Sequence, residues 1–184
     1  MRYMEIKKYD ISNGPGVRVS VFASGCHHHC EGCFNSIAWD FKSGKEFTQE
    51  VLSEVLDALN HEYITGLSLL GGEPFELVNV KGFLPLVKKV KELYPNKTIW
   101  AYTGYLFDKE ILDDICKKSK EMEEFVKYLD IVVDGKFVSS LKQSNLIFKG
   151  SSNQRIIDVK ETLKQGKIIL DELNDKRLDY GKQD

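Results

Sequence analysis

Residues 24–35 read SGCHHHCEGCFN and hold three cysteines and three histidines. Cys26, Cys30 and Cys33 follow the spacing C-x3-C-x2-C. Three thiolates this close are soft metal donors, and three chemistries can use them. One is a structural zinc site. Zinc takes four protein ligands, usually delivered as two pairs. The fourth would have to be Cys116, the one remaining cysteine, or a histidine among His27, His28 and His29. Those histidines sit inside the C-x3-C loop, where reaching the same ion is sterically awkward. A second chemistry is a disulfide, which a reducing compartment disfavours. The third is a [4Fe–4S] cluster with three protein ligands. Electron carriers fill all four irons with cysteine, so a missing fourth ligand leaves one iron open to a small molecule. The ligand count points to the cluster, with zinc as the open alternative.

Composition sets the frame for that loop. The chain of 184 residues fits one domain with a real core, and roughly the last fifteen residues read as a loose tail. Hydrophobic residues at 42% and charged residues at 29% are ordinary for a globular protein. A net charge of -2 offers no basic surplus to neutralise phosphates, so no nucleic-acid partner is expected. No apolar run is long enough to cross a bilayer, and residues 1–5 lack the apolar block of a signal peptide. The expected location is the cytoplasm, with no membrane partner.

The elements that must position the loop can be read from periodicity. Val17, Val19, Val21 and Ala23 alternate with Arg18 and Ser20, which predicts a strand running into the cysteines. Thr48 reads as the N-cap of a helix carrying Val51, Leu52, Val55, Leu56 and Leu59. Residues 67–70 form a buried strand ending at Gly71-Gly72. Residues 83–93 form an amphipathic helix stopped by Pro95. A strand over 98–102, a helix over 108–116 and a strand over 130–133 follow. Residues 146–148 and 155–159 read as further strands, and 160–165 as a short helix. Strands alternating with helices make an α/β fold with a mostly parallel sheet. In such folds ligands sit at the carboxyl ends of strands. The cysteine loop, Gly71-Gly72-Glu73-Pro74, Tyr102-Thr103-Gly104 and Asp134-Gly135-Lys136 should therefore meet on one side of the sheet.

Each loop has a plain reading beside a chemical one. Gly71-Gly72 lets backbone approach a ligand closely because no Cβ intervenes. Asp134-Gly135 is a common β-turn pair, and Asn35 could simply cap a turn. Cys116 reads as a partly buried free thiol.

Several stretches together resemble a known family. They are Asn13-Gly14-Pro15-Gly16-Val17-Arg18, the three-cysteine loop with Asn35, Trp39 and Ser43-Gly44 after it, Gly71-Gly72-Glu73-Pro74, and the tail Gly150-Ser151-Ser152-Asn153-Gln154-Arg155-Ile156-Ile157-Asp158-Val159. The cysteine spacing is similar to that of the radical S-adenosylmethionine (SAM) superfamily. The tail resembles the glycyl-radical-enzyme activating proteins that serve anaerobic ribonucleoside-triphosphate reductase. The similarity runs over residues 11–166.

That resemblance implies a [4Fe–4S] cluster on Cys26, Cys30 and Cys33, with SAM chelating the open iron through its amine and carboxylate. It implies that Glu73, with Gly71 and Gly72, holds the methionine amine. It suggests a role in SAM binding for Asp134 and Lys136, with Lys136 a natural partner for the methionine carboxylate, and Thr103, at another strand end, could hydrogen-bond the same group. Many superfamily members carry an aromatic residue where this chain has Gly32, so contact there would come from backbone, with Phe34 nearby. Asn35 would touch SAM as well. The three histidines read as solvated or supporting residues. The implied reaction is reductive cleavage of SAM, followed by hydrogen abstraction from a glycine of the reductase. A flavodoxin or ferredoxin would deliver the electron. A full eight-fold barrel needs about 250 residues, so a partial, open (β/α) barrel is implied here. An activator of another glycyl-radical enzyme, such as pyruvate formate-lyase, is the nearest alternative.

Overall fold

Strand β2 (Val17–Ala23) carries the chain into the cysteine loop, and both of its faces are buried. Val19, Val21 and Ala23 face the helices, while Arg18 and Ser20 are equally inaccessible on the other side. The alternation seen in the sequence therefore separates two buried faces. That is the signature of an internal strand with one polar interior wall.

The structure is a computed structural model that describes residues 1–178. β1 (Arg2–Asp10) precedes β2 and pairs with it antiparallel. The two-residue β3 (Lys45–Glu46), α1 (Gln49–Leu59), β4 (Ile64–Gly71), α2 (Leu77–Leu93) and β5 (Thr98–Tyr102) follow. Next come a π-helical segment Phe107–Ile115, α3 (Cys116–Lys118), α4 (Lys120–Lys127) and β6 (Ile131–Asp134). The described chain continues through β7 (Arg155–Asp158) and α5 (Val159–Gln165). The fold is mixed α/β around one seven-stranded sheet of order β3-β1-β2-β4-β5-β6-β7. The central strands β2, β4, β5 and β6 are mutually parallel, and β1 and β7 flank them antiparallel.

The parallel register sends Ala23, Gly71, Tyr102 and Asp134 to the same edge of the sheet. Helical crossovers make this possible, because parallel neighbours cannot be joined by a tight turn. Leu52, Val55 and Leu59 of α1, Val80, Phe83, Leu84, Val87 and Val90 of α2, and Met122, Phe125 and Val126 of α4 cover one face of the sheet. Truncating such a buried Phe or Leu to Ala costs about 3–5 kcal/mol. The opposite face packs Trp100, Ile131, Val133 and Ile156 beneath Tyr102, Phe148 and Leu173.

Thr48 caps α1 as expected, its hydroxyl accepting from the Val51 N–H at 3.4 Å. α2 begins at Leu77, six residues ahead of the expected start, and runs through Pro85. The proline removes one helical hydrogen bond. Burial of Val80, Phe83, Leu84 and Leu86 on the same face outweighs that loss. The expected helix over 108–116 is present as Phe107–Ile115 with a wider, π-type turn. The Ile111 N–H reaches the Leu106 carbonyl at 3.2 Å, five residues back. Residues 146–148 do not form a strand; Leu146 makes only an isolated bridge to Arg177. Of the segment read as a loose tail, the Asp171 N–H bonds the Ile156 carbonyl at 2.9 Å and Asn174 is buried, while residues 179–184 lie outside the described residues.

Candidate functional site

The four strand ends converge on a cavity of about 430 Å3. Cys26, Cys30 and Cys33 form one part of its wall, Gly71-Gly72-Glu73 another, and Tyr102-Thr103-Gly104 a third. Gly135 closes it from the β6 side. The convergence expected from topology is what the structure has.

Backbone bonds pin the cysteine loop to the short helical turn Ser36–Trp39. The Gly25 N–H donates to the Ala38 carbonyl at 2.7 Å, and the Cys26 N–H to the Trp39 carbonyl at 3.1 Å. All four cysteines are free thiols. Cys26 is buried, and burial pushes its thiol up to about 11, so taking up a metal there must release a proton. Among the described residues, no three His, Cys, Asp or Glu side chains close around a point that could hold one metal ion. The thiols share the wall of one cavity, with no fourth cysteine beside them. That donor set fits a multi-iron cluster, which takes thiolates at separate corners and here would keep one iron free.

Each histidine of the loop already has partners. His28, nearly inaccessible, bonds the Glu73 carboxylate at 2.9 Å and meets the Tyr105 ring edge-on at 4.4 Å. His27 bonds Glu76 at 2.8 Å and packs on Phe41. His29 stacks on Trp39 at 4.6 Å.

Glu73 is the knot that joins the loops. Its side chain is 1% exposed. One carboxylate oxygen accepts from the Phe75 N–H at 2.9 Å; the other accepts from the Gly104 N–H at 2.8 Å and bonds His28. A carboxylate offers about four acceptor positions, so one is left for a ligand. The turn before it has no room for side chains. Gly71 has φ +107°, and a Cβ on Gly72 would stand 2.5 Å from the Gly25 carbonyl oxygen. Asn79, a polar residue on the buried face of α2, donates at 2.9 Å to the carbonyls of both Ser24 and Glu73. It thereby ties the cysteine loop to the Glu73 turn. Sequence reasoning missed it; a lone Asn among Val80, Phe83 and Leu84 was the available signal.

Thr103 is buried in the cavity wall, and its hydroxyl accepts from the Tyr105 N–H at 3.1 Å. Gly32 lines the mouth at φ +72°. Asn35, Asp134 and Lys136 are not brought to this wall. Asn35 is half-buried, and its side chain caps nothing. The Asp134 carboxylate is fully buried and committed: it accepts from the Phe107 N–H at 2.8 Å and pairs with Arg155, whose Nε lies 2.9 Å away. A buried carboxylate must be paired in this way, which removes it from ligand contact. Lys136 is exposed. Tyr102 lines the cavity too, as its place in the expected loop implied, and Phe137 and Gln154 are lining residues to which sequence reasoning assigned no site role. The Tyr102 hydroxyl is buried without a partner, and burial raises its pKa, so it stays protonated.

A family model described as a 4Fe-4S single cluster domain matches residues 12–157, a span that includes every wall of this cavity. Named relatives match over nearly their whole length. The anaerobic ribonucleoside-triphosphate reductase-activating protein of Salmonella typhi is 40% identical over 156 residues, which is 84% of this chain and 96% of that protein. The chain belongs to this activating-protein family. The proteins of the same name from Escherichia coli K12 and Enterobacteria phage T4 are 39% and 40% identical over 156 residues, covering 96% and 93% of their lengths. Family membership and the matched domain together make this an iron–sulfur protein. Among the described residues no helix is long and apolar enough to cross a membrane.

Proposed function

We propose that this chain is the activase of an anaerobic ribonucleoside-triphosphate reductase, built as a partial, open (β/α) barrel of the radical SAM type. Cys26, Cys30 and Cys33 would hold a [4Fe–4S] cluster, with SAM in the cavity beside it. One observation carries the reading: three free thiols and the side-chain-free turn Gly71-Gly72 open on a single cavity. When bound and reduced, the cluster would supply the electron that breaks the C5′–S bond of SAM, giving the 5′-deoxyadenosyl radical that takes hydrogen from a glycine of the reductase.

The chain's own residues bind and orient. Glu73 would offer its spare acceptor to the methionine ammonium, and the Gly71-Gly72 backbone lines the same wall. Thr103 and the Gly32 backbone border the same space. Asn35 and the exposed Lys136 stand outside that wall and would touch SAM only if it extends beyond the cavity, while Asp134 shapes the loop through Arg155. Phe137 and Leu70 narrow the cavity and exclude water. The names of the relatives support the reductase as partner; a flavodoxin or ferredoxin is the class of donor that suits the first step.

The test is to purify the protein without oxygen, reconstitute it with iron and sulfide, and add dithionite and SAM. Brown protein with about four irons per chain that forms 5′-deoxyadenosine is the expected result. Colourless protein carrying one zinc and forming none would overturn the reading.

A further inference from the structure

The tail segment 150–155 runs alongside the loop that follows β6, and its side chains grip that loop residue by residue. Arg155 pairs with Asp134. The Gln154 amide donates to the Gly135 carbonyl at 2.8 Å. The Asn153 amide donates to the Lys136 carbonyl at 2.9 Å. Ser151 accepts from the Val138 N–H at 3.1 Å, and the Ser152 N–H donates to the Leu141 carbonyl at 2.9 Å. Three consecutive side chains thus hold three consecutive loop residues in antiparallel order. Gln154 also accepts, through its other amide atom, from the N–H groups of Gly150 and Ser151 at 2.8 and 3.2 Å.

What the grip delivers is a wall of the cavity. Gly135, Phe137, Gly150 and Gln154 all line it. The Phe137 ring lies against Gly150 of the tail segment on one side and Gly32 of the cysteine loop on the other. A Cβ on Gly150 would stand 3.1 Å from Phe137 Cδ2, and one on Gly32 would stand 3.7 Å from Phe137 Cε1 and 3.3 Å from Ser139 Oγ. The held loop therefore abuts Cys33 through its neighbour Gly32.

We propose that Asn153, Gln154 and Arg155 are positioning residues that hold Gly135 and Phe137 as the SAM-facing wall opposite Glu73, with the Phe137 ring presented to the flat purine of the ligand. This rests on SAM being the ligand of the cavity. The segment touches neither iron nor the reacting bond. Loosening it should weaken SAM binding while leaving the cluster and the chemical step in place.

Gln154→Glu is the sharpest variant. It keeps the acceptor for Gly150 and Ser151 and turns the donor to the Gly135 carbonyl into a carboxylate oxygen that repels it. The unsatisfied carbonyl and the shifted wall should raise the KM for SAM about tenfold, with kcat within about twofold of wild type. Iron content and visible absorbance should match wild type, which a general loss of structure would not allow. Asn153→Asp makes the same donor loss at the more exposed Lys136 carbonyl and should raise KM less; it serves as the readout if Gln154→Glu does not fold. Wild-type protein that cleaves SAM beside both variants with unchanged KM would overturn the clamp alone. Wild-type protein that binds an intact cluster yet neither binds nor cleaves SAM would overturn the underlying reading and the clamp with it.

Discussion

At the N-terminal ends of β2, β4 and β5 lies a cleft of about 680 Å3, larger than the 430 Å3 cavity at their C-terminal ends. Arg18 stands in the first and the cysteines in the second. The difference between them lies in unspent bonding capacity. Every nitrogen of the fully buried Arg18 is used: Nε donates to Ser68 Oγ at 2.8 Å, Nη1 to Thr98 Oγ1 at 3.0 Å, and Nη2 to the carbonyls of Leu67 and Thr98 at 2.8 and 2.9 Å. Its plane also lies against Trp100. Nearby Asp130 is neutralised by two ammonium groups, Lys91 and Lys160, and also accepts from the Ile99 N–H. The C-terminal cavity holds three free thiols, a carboxylate with one acceptor position to spare and a buried phenol with no partner. A large cleft whose buried cation is fully bonded by its own fold is scaffold. A smaller one that leaves donors and acceptors open is a site.

The contrast can be broken most decisively at the cysteines. Replacing Cys26, Cys30 or Cys33 by Ala should abolish the brown chromophore and all 5′-deoxyadenosine formation, measured after anaerobic reconstitution. Full cleavage by any one of the three would remove that residue from the ligand set.

At the other end, Arg18→Met should lower the unfolding free energy by about 3 kcal/mol, because Ser68 and Thr98 lose their partner inside the fold. SAM cleavage per folded molecule should be unchanged. A denaturant melt together with an activity assay separates the two effects, and lost activity with full stability would give Arg18 a place in the site.

Asp130 sharpens the same point through pH. Burial alone would raise its carboxyl, but bonds from Lys160, Lys91 and the Ile99 N–H hold it below the ordinary carboxylate value. A depressed acid contributes stability above its unfolded pKa and loses it as the pH falls through the folded value. The protein should therefore lose stability below about pH 4. Asp130→Asn should cost about 2 kcal/mol at pH 7 and flatten that acid slope. An unchanged slope would show that the acid loss arises elsewhere.

The smallest effect belongs to Cys116. It is half-buried against the helix-covered core, away from the cavity. Cys116→Ala should leave iron content unchanged and cost about 1 kcal/mol. Any fall in iron per chain would reopen its assignment.

The cavity's centre was legible because its residues follow local rules. A cysteine spacing, a Gly-Gly turn and strand ends marked by Thr103 and Gly135 can each be read without knowing what lies across the fold. The misses share a cause: long-range partners. Nothing near Asp134 in the sequence announces Arg155, twenty-one residues away, which takes its carboxylate out of the site. Asn79 joins two loops that meet only after folding. β1 is half-exposed and rich in charge, so its pattern is weak, and pairing with β2 makes it a strand. The π-helical pitch of Phe107–Ile115 leaves no mark on an apolar periodicity counted over two turns.

The most direct single measurement is the EPR spectrum of the reduced, reconstituted protein with and without SAM. Binding of SAM at an open iron beside Glu73 should move the line positions of the cluster signal on addition, before any reductase is present. A cluster signal that stays the same at saturating SAM would contradict the assignment of the cavity, however much iron the three cysteines hold.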